Sequence, residues 1–468
     1  MRQLIPLLAL VVAACGSAPT PTSSAPAATT QTTATPSTTA PTPTTTPVPG
    51  SVSVEYTVAD CRTPPVTFAL LCDVYELIED YHVDAPLDPA ALAAGAALGV
   101  EGFAAGEAAD QTESFTCAIP DPAFETTCSI LAERLRAVPL DMEEAIEAGV
   151  SSMIDLSLDP FTYYLPPELS GALSEDGIVT AVGLLLRITD PVGSVCTAIE
   201  GGCRLEVALA ILDGPGYGAG LRAGNVITSV AGEDVAGATL VDVAALLDGD
   251  AGTTVTVDVV DADGEANSVT IERNPPPSVS LEMEQPVPGV AYIRLPDFEA
   301  DIPVFLHTVL ESLADSNVNR LVLDLRDNPG GYVDVATLVA SEFLSDGLVL
   351  RSLGPDGDLN YPVQEGGLAT SGVDLSVVVN AGSASAAEIL AGVLQERGRA
   401  TIVGEPTFGK NTVQIAFPLR NDGQLRVTIA EWVTPDGNSV AGSGVTPDVM
   451  VDIPVDATPV EVVNLVLG

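Results

Sequence analysis

From about residue 280 to the end of the chain, apolar strand-like runs alternate with helical stretches. The pattern predicts strands at 290–295, 320–325, 375–379 and 401–403, and helices at 301–316, 333–344 and 384–396. Alternation of this kind is typical of an α/β domain with a largely parallel sheet. Residues 280–468 are therefore the predicted core of the fold.

Two regions with different patterns precede this core. Residues 53–170 are mainly helical, and Leu71, Val74 and Ile78 recur at the spacing of one helix face. Residues 171–275 consist of short β-branched runs with Gly and Asp turns and one helical stretch at 240–247, which predicts a small β-rich module. The predicted fold class is a multidomain α/β and β protein with a helical N-terminal region.

The N-terminus has the pattern of a secretion signal. A basic start precedes an apolar run and the small residues before Cys15. A cysteine at the cleavage point resembles a bacterial lipoprotein signal, which implies residues 1–15 as signal peptide and Cys15 as the lipid-modified residue. An ordinary signal peptide with an incidental Cys15 is the alternative. Residues 16–52, rich in Thr, Pro, Ser and Ala, form a predicted tether. We expect an exported protein, lipid-anchored to the outer face of a bacterial membrane.

The net charge of the chain argues against one class of function. At −47 it is strongly acidic, whereas nucleic-acid binding needs a basic face. We therefore expect no nucleic-acid partner.

The number and spacing of the cysteines indicate disulfide bonds in an exported protein. Beyond Cys15, six remain, an even number. Closeness in sequence favours three pairs: Cys61 with Cys72, Cys117 with Cys128, and Cys196 with Cys203. Metal binding is the competing interpretation. Because the chain has no CxxC and its two histidines, His82 and His307, are isolated, we expect no metal or cofactor.

A candidate nucleophile lies where a buried strand turns into a helix near Ser385. Free backbone N–H groups and the helix dipole at such an N-terminus favour developing negative charge. An oxyanion hole needs donors of that kind. The alternative is that Ser383 or Ser385 only caps the helix, the commonest role of serine there.

Lys410 is the one lysine among 17 basic residues. Unlike arginine, a lysine can lose its proton when burial lowers its pKa, and it can then act as a base. Compositional drift, with the lysine left on a surface loop, is the alternative. Gln414 is four residues further on, an even spacing that predicts both side chains on one face of an extended strand, where Gln414 could orient the amine.

The β-rich module resembles a PDZ domain. The run Ala-Gly-Leu-Arg-Ala-Gly-Asn-Val-Ile at 219–227 matches the usual A-G-[LI]-x-x-G-D-x-I, with Asn225 in place of the common Asp. PDZ domains add an extended peptide to a sheet edge and hold its C-terminal carboxylate on backbone N–H groups. By resemblance, the carboxylate loop lies at Val182, Gly183, Leu184 and Leu185. A generic β module that only packs against its neighbour is the alternative.

Most of the chain after residue 64 resembles the C-terminal processing peptidases, the tail-specific Ser–Lys proteases. The matching motifs, in order, lie at 158–165, in the PDZ module, and at 323–331, 382–388, 404–414, 434–437 and 444–448. The resemblance implies that Ser385 is the nucleophile, Lys410 the general base and Gln414 its orienter. It further implies that Gly330 or Gly331, together with Ala386, supplies oxyanion donors. Glu388, one helical turn beyond Ser385, either orders the site or is an ordinary exposed helix acid. Glu396 stands where the family often has Asp and is assigned no chemistry.

The implied function is endopeptidase cleavage of polypeptides whose apolar C-terminal tails are captured by the PDZ domain. Two departures from the family pattern, a Cys-bounded insert near 105–130 and the loop between Cys196 and Cys203, bear on substrate access. Two rivals remain: an inactive PDZ protein that holds C-terminal tails at the cell envelope, and a hydrolase of non-peptide substrates. The intact Ser–Lys pair argues against the first, and the PDZ module argues against the second.

Overall fold

A computed structural model describes residues 69–106, 142–156, 158–173, 178–191, 195–211, 214–261, 264–275, 281–314, 316–355, 357–369 and 372–468. The predicted signal peptide with Cys15, the tether and the insert near 105–130 lie almost wholly outside these ranges. Within them, no helix is both long enough and apolar enough to cross a membrane.

The N-terminal region is helical, as predicted. It contains α1 (Ala69–Tyr81), α2 (Pro89–Gly106) and α3 (Met142–Asp155), followed by the short strand β1 (Tyr163–Leu165). The predicted apolar face of α1 is buried through Leu71, Val74 and Ile78. These helices do not form a core of their own, because their apolar cluster includes residues of the C-terminal domain such as Leu425 and Val427.

The β-rich module is an antiparallel sheet that is closed on one side by a helix. Its elements are β2 (Ile178–Val179), β3 (Leu184–Thr189), β4 (Arg204–Ala210), α4 (Pro215–Gly218), β5 (Val226–Val230), β6 (Glu233–Asp234), α5 (Leu240–Leu247), β7 (Thr254–Val260) and β8 (Ala266–Glu272). Helix α5 begins at Thr239, whose hydroxyl accepts from the N–H of Asp242, while the Asp242 carboxylate accepts from the N–H of Thr239. The strand order is β2-β3-β4-β5-β7-β8 within the described residues.

The C-terminal domain contains the predicted, largely parallel sheet. Its elements are β9 (Glu282–Val287), β10 (Val290–Arg294), α6 (Ile302–Ala314), β11 (Arg320–Asp324), α7 (Val333–Ser341), β12 (Leu348–Leu353), β13 (Leu359–Pro362), β14 (Asp374–Val379), α8 (Ala386–Glu396), β15 (Ala400–Gly404), β16 (Thr412–Pro418), β17 (Gln424–Val433), β18 (Val449–Met450) and α9 (Pro459–Leu467). In the order β18-β15-β14-β11-β10-β9, every described pairing is parallel except that of β9 with β10.

Both faces of this sheet are covered, which explains why its central strands are apolar throughout. Leu321 and Leu323 of β11 pack with α6, α7 and α8 on one face, and Val322 packs with Val462 and Val463 of α9 on the other. A separate antiparallel sheet, in the order β1-β17-β12-β13 with β16 beside β17, adjoins this domain. Because β1 pairs with β17, the 158–165 motif is part of the C-terminal domain's framework rather than of a separate helical layer.

One of the three predicted disulfides is present, between Cys196 and Cys203 in the connection from β3 to β4. Cys72 is also disulfide-bonded, and its predicted partner Cys61 lies outside the described residues. Cys117 and Cys128 both lie outside the described residues as well. The bond between Cys117 and Cys128 therefore stays a prediction from their closeness in sequence, as does the choice of Cys61 for Cys72.

Candidate active site

The candidate residues meet where three neighbouring parallel strands end. The motif at 323–331 follows β11, Ser385 follows β14, and the loop that carries Lys410 follows β15. The carboxyl ends of parallel strands share one edge of a sheet, the edge at which α/β folds bind their ligands. Three motifs that are distant in sequence are therefore brought to one place by the strand order.

Ser383 holds the turn that follows β14. It is fully buried, its hydroxyl donates to the carbonyl oxygen of Leu325 at 2.7 Å, and it accepts from the N–H of Asn380 at 3.0 Å. The Asn380 side chain in turn accepts from the N–H of Asp327 at 2.9 Å. The Ser383 hydroxyl is thus committed to joining this turn to the loop after β11, which leaves Ser385 as the candidate nucleophile.

Ser385 immediately precedes α8 and has an unusual backbone conformation, with φ 53° and ψ −114°. A residue other than glycine at such a φ is strained, and such strain is concentrated at functional sites. The Ser385 side chain is partly exposed, although both of its neighbours are buried. The conformation therefore presents one hydroxyl at a helix N-terminus, between two buried alanines.

Glu388 is fully buried and receives four hydrogen bonds. One carboxylate oxygen accepts from the Thr407 hydroxyl at 2.5 Å and from the N–H of Gly409 at 2.7 Å. The other accepts from the N–H groups of Lys410 at 2.8 Å and Ser385 at 2.9 Å. Burial raises the pKa of Glu388 to about 7, against the lowering effect of these hydrogen bonds. Glu388 is therefore not an exposed helix acid, and its carboxylate joins the segments that carry Ser385 and Lys410.

Lys410 lies just before β16, and its ammonium nitrogen is 5.7 Å from the centre of the Phe161 ring. Its carbonyl oxygen accepts from the Trp432 indole at 3.2 Å. The preceding Gly409 has φ +92°, and a Cβ there would lie 2.9 Å from the backbone of Gly442, so only glycine fits. The loop is thereby fixed on both sides of the lysine.

Gln414 lies near Lys410, but not for the reason that the even spacing predicts. Lys410 is outside the strand, and the register of β16 with β17 shifts between Val413 and Gln414. The extra residue of this bulge, Ile429, lies in β17, so β16 itself keeps its two-residue period. Lys410 and Gln414 nevertheless line the same cavity, although Lys410 lies outside the strand on which the spacing argument placed both residues.

The predicted oxyanion donors differ in whether their N–H groups already donate to another group. The N–H of Gly330 donates to the Asn328 side chain at 2.9 Å and is therefore occupied. Gly331 forms a parallel β-bridge with Phe298. In this bridge the N–H of Phe298 donates to the carbonyl of Gly330 and the N–H of Tyr332 donates to the carbonyl of Phe298, so the N–H of Gly331 is not used. Ala386 is the first residue of α8, where the N–H has no carbonyl partner in its own helix. Gly331 and Ala386 thus fit the role better than Gly330.

The PDZ-like module lies directly over this site. The cavity that contains Lys410 and Gln414 is also lined by Leu185, Leu186 and Leu240 of the module. An apolar cluster joins the two domains next to Ser385; its buried members are Ile178, Leu185, Ala208, Leu209, Ala384 and Phe408. Access to the candidate nucleophile is therefore restricted in this conformation.

The predicted carboxylate loop is closed by its own hydrogen bonds. The N–H groups of Val182 and Gly183 donate to the carbonyl oxygen of Val179 at 3.3 and 2.9 Å, and Leu184 and Leu185 are paired with β2. A tail carboxylate at this loop would have to exchange these bonds for its own.

Sequence reasoning missed Phe161, which contacts the predicted base from the end of the N-terminal region. The signal was available, since the 158–165 motif was recognised, but its partner lies about 250 residues away in sequence. Among the described residues, no group of three or more His, Cys, Asp or Glu side chains is arranged to hold a metal ion.

Comparison with known proteins agrees with this architecture. A model of peptidase family S41 matches residues 289–451, and a PDZ-domain model matches residues 206–261. A carboxyl-terminal-processing protease from Synechocystis sp. is 31% identical over 332 residues, covering 69% of this chain and 75% of the relative. The chain belongs to peptidase family S41.

Further relatives place this S41 peptidase among the C-terminal processing serine proteases. A carboxy-terminal-processing protease from Bartonella bacilliformis is 32% identical over 321 residues, covering 67% of this chain and 71% of the relative. The solved structure of a photosystem II D1 C-terminal processing protease is 25% identical, with a TM-score of 0.64, covering 85% of this chain and 97% of that chain. These matches confirm the predicted fold class, with its helical N-terminal region, PDZ domain and mixed α/β core.

Proposed function

We propose that this S41 peptidase is an exported endopeptidase that uses Ser385 as nucleophile and Lys410 as general base. The observation that carries the proposal is the shared oxygen of Glu388, which binds the main-chain N–H groups of both residues. Two segments from different strand ends are thereby held at one point. A nucleophile and base that must exchange a proton require such fixed relative placement.

The chemistry follows from the positions of these groups. The neutral Lys410 amine takes the proton of the Ser385 hydroxyl as its oxygen attacks a peptide carbonyl carbon. The carbonyl oxygen gains negative charge and is bound by the N–H groups of Gly331 and Ala386. The lysine then returns its proton to the leaving amine, and water hydrolyses the acyl-enzyme by the same route.

A lysine acts as a base only in its neutral form, which a site poor in water favours. The cavity around Lys410 is lined largely by apolar side chains, among them Phe161, Leu186, Leu240 and Phe408. The enclosing surface is partly contributed by the PDZ domain. Phe161 and Phe408 lie outside the PDZ domain, so they keep apolar surface beside the Lys410 amine when that domain moves away.

The same arrangement gives the PDZ domain a role in access. Strand β3 lies over the cavity, and the carboxylate loop at its start is closed by internal hydrogen bonds. We propose that an apolar C-terminal tail enters beside β3, replaces those bonds, and moves the domain away from Ser385. The empty PDZ domain then blocks the site, and a bound tail opens it.

Export and lipid anchoring rest on the sequence, because residues 1–68 are outside the described ranges. The signal pattern, the Cys15 position and the uncharged tether support attachment to the outer face of a bacterial membrane. A Cys15→Ser variant should lose incorporation of a labelled fatty acid. Retention of the label would refute the anchor and leave the peptidase proposal untouched.

The decisive experiment is cleavage of an unfolded reporter that ends in small apolar residues. We expect the parent to cleave it, and Ser385→Ala and Lys410→Arg to lose cleavage while retaining their circular dichroism. Arginine keeps the charge but cannot become a base. If Lys410→Arg still cleaves, the proposed dyad is wrong. If the parent binds the reporter's tail without cleaving it, the chain is a tail-binding protein.

A further inference from the structure

A buried polar network reaches the Lys410 cavity from the N-terminal region. Asp159 lies at its centre and accepts four hydrogen bonds. One carboxylate oxygen accepts from the His82 ring at 3.0 Å and from the Thr162 hydroxyl at 2.6 Å. The other accepts from the N–H of Phe161 at 2.9 Å and from the Thr428 hydroxyl at 2.9 Å. The carboxylate therefore joins the 158–165 motif to strand β17.

The backbone determines which ring nitrogen of His82 carries its proton. The N–H of Asp84 donates to Nδ1 of His82 at 3.1 Å, so Nδ1 must be the unprotonated acceptor. Nε2 then carries the hydrogen and donates it to Asp159. The His82 ring is fully buried and holds the Asp159 carboxylate through Nε2.

The donor and acceptor roles are also determined where Thr428 and Gln414 continue the network. An ionised carboxylate only accepts, so the Thr428 hydroxyl must give its hydrogen to Asp159. The Thr428 oxygen is then free to accept, and it does so from Nε2 of Gln414 at 3.3 Å. With its Nε2 turned to Thr428, Gln414 presents its carbonyl oxygen as the acceptor at the other end of the amide. Gln414 and Lys410 line one cavity.

Asp159 acts on the Lys410 side chain by a second route. It holds the N–H of Phe161, whose ring lies 5.7 Å from the Lys410 nitrogen, within reach of a cation–π contact. One carboxylate thus fixes both the aromatic ring beside the amine and the amide that lines the same cavity. His307, the other histidine, is far from this network in sequence and bonds to Glu342 instead.

We propose that Asp159, with His82 and Thr428, is a positioning unit that fixes the amide of Gln414 and the ring of Phe161 around Lys410. The inference deepens the proposed function, since it concerns the same base. None of the three residues touches the reacting atoms. Their effect is to keep the Gln414 oxygen, rather than its NH2 group, available to the amine.

The test uses Thr428→Val, which removes the hydroxyl while keeping the shape, and Thr428→Ser, which keeps it. Thr412→Val is the matched control, because the Thr412 hydroxyl is buried in the same sheet without a hydrogen-bond partner. We expect kcat to fall roughly tenfold or more in Thr428→Val with KM unchanged, because the base is misplaced. Thr428→Ser and Thr412→Val should keep the parent's kcat.

Two further measurements distinguish positioning from mere stability. Thr428→Val should have no additional effect on kcat in a Gln414→Ala background, because the threonine acts through that amide. Acylation of Lys410 by an amine-reactive reagent can be followed as a function of pH on the peptide that contains Lys410. This labelling reports the protonation of the amine without any substrate. Its midpoint should shift in Thr428→Val, because the amide of Gln414 is no longer held in one orientation beside the amine.

The inference is overturned if Thr428→Val keeps the parent's kcat and labelling midpoint, or if its effect adds fully to that of Gln414→Ala. If Thr428→Val does not fold, Asp159→Asn replaces it: its kcat should fall and its labelling midpoint should shift, and a variant that keeps the parent's values of both would overturn the inference. The labelling midpoint decides the inference even if Ser385→Ala retains cleavage, the result that would refute the proposed function.

Discussion

Ser385 and Lys410 donate their main-chain N–H groups to the same oxygen atom of Glu388, at 2.9 and 2.8 Å. The two residues belong to loops that follow different strands, β14 and β15. Their separation is therefore determined by a buried carboxylate and not by their side chains alone. Any change in the protonation or identity of Glu388 should alter both residues together.

Substitution Glu388→Gln should test that relationship. The side chain keeps its shape, but one oxygen becomes an NH2 group that faces two hydrogen-bond donors. Leaving buried donors unsatisfied costs about 1–3 kcal/mol for each group. We expect a stability loss on the order of 2–5 kcal/mol in urea unfolding and a fall in kcat of roughly a hundredfold. A stable Glu388→Gln variant with the parent's kcat would show that the shared oxygen is not needed.

The pH dependence of the free energy of unfolding should include a contribution from the Glu388 carboxyl group. Burial raises the pKa of Glu388 from 4.5 to about 7, so the folded state binds this proton more tightly than the unfolded state. The contribution of Glu388 to the free energy of unfolding is then highest at low pH and decreases as pH rises from 4.5 to about 7.

Activity should change in the opposite direction across that window. Each carboxylate oxygen of Glu388 already accepts two hydrogen bonds. A proton on either oxygen would therefore displace one of the four donors, which are the N–H groups of Ser385, Lys410 and Gly409 and the Thr407 hydroxyl. We expect kcat/KM to be lost as pH falls below about 7. Comparing urea unfolding of the parent and Glu388→Gln between pH 5 and 8 should isolate the contribution of Glu388 to the free energy of unfolding. The same slope in both proteins would contradict the assignment.

Gly330→Ala should impair catalysis far more than stability. A Cβ at this position would lie 2.7 Å from the Cβ of Ser385, so the serine would have to shift. We expect a fall in kcat of roughly a hundredfold. Gly366→Ala is the matched control, since Gly366 has a similar φ, +112° against +116°, but open space around its Cβ position. Equal effects of the two substitutions would attribute the loss to backbone strain instead of to the contact with Ser385.

Local pattern was sufficient to predict the central elements of the C-terminal domain, namely β10, β11, β14, β15, α6, α7 and α8, but not β9, β12, β13, β17, β18 or α9. The runs around Leu321–Leu323 and Val377–Val379 are apolar because both faces of the sheet are covered, and the parallel order followed from the intervening helices. The convergence of Ser385 and Lys410 could be predicted for the same reason, since both follow neighbouring parallel strands.

Other features depend on contacts that sequence spacing does not encode. His82 was considered isolated, yet it bonds to Asp159 at 3.0 Å because β1 pairs with β17 and draws the motif at 158–165 into the domain. The start of β16 at Thr412, which leaves Lys410 outside the strand, could not be foreseen either, because it depends on the pairing with β17. The same holds for the position of the PDZ domain over the site, which is a contact between domains.

Arg326 should prove to be a major stabilising residue of the loop after β11. Its guanidinium is buried, contacts both oxygens of Asp324 at 3.0 Å or less, and donates to the carbonyls of Ile453 and Pro454. Arg326→Met would leave the Asp324 carboxylate buried and unpaired, at a cost of about 3–5 kcal/mol in urea unfolding. Arg351→Met, which breaks an exposed pair with Asp358, should cost less than about 1 kcal/mol. Similar losses for the two variants would contradict the buried ion pair's importance.

Weakening the contact between the PDZ domain and the catalytic domain should raise the activity of the empty enzyme. Leu209 of β4 is buried in the cluster that includes Ala384 and Phe408, next to Ser385. Leu209→Ala removes part of that contact, so the domain should leave the site more often. We expect cleavage of short peptides without an apolar tail to rise several-fold, because a loss of about 1.4 kcal/mol shifts an equilibrium tenfold.

Leu205→Ala separates this effect from general loosening of the PDZ domain. Leu205 lies on the same strand and is also fully buried, but it packs inside the PDZ core. Both variants create a cavity and should lower the stability of the domain by about 2–5 kcal/mol. Only Leu209→Ala weakens the interface directly, so it alone should raise tail-independent cleavage at temperatures where both variants remain folded. An equal rise in both would mean that unfolding of the PDZ domain exposes the site, and a fall in Leu209→Ala would mean that the closed contact activates the enzyme.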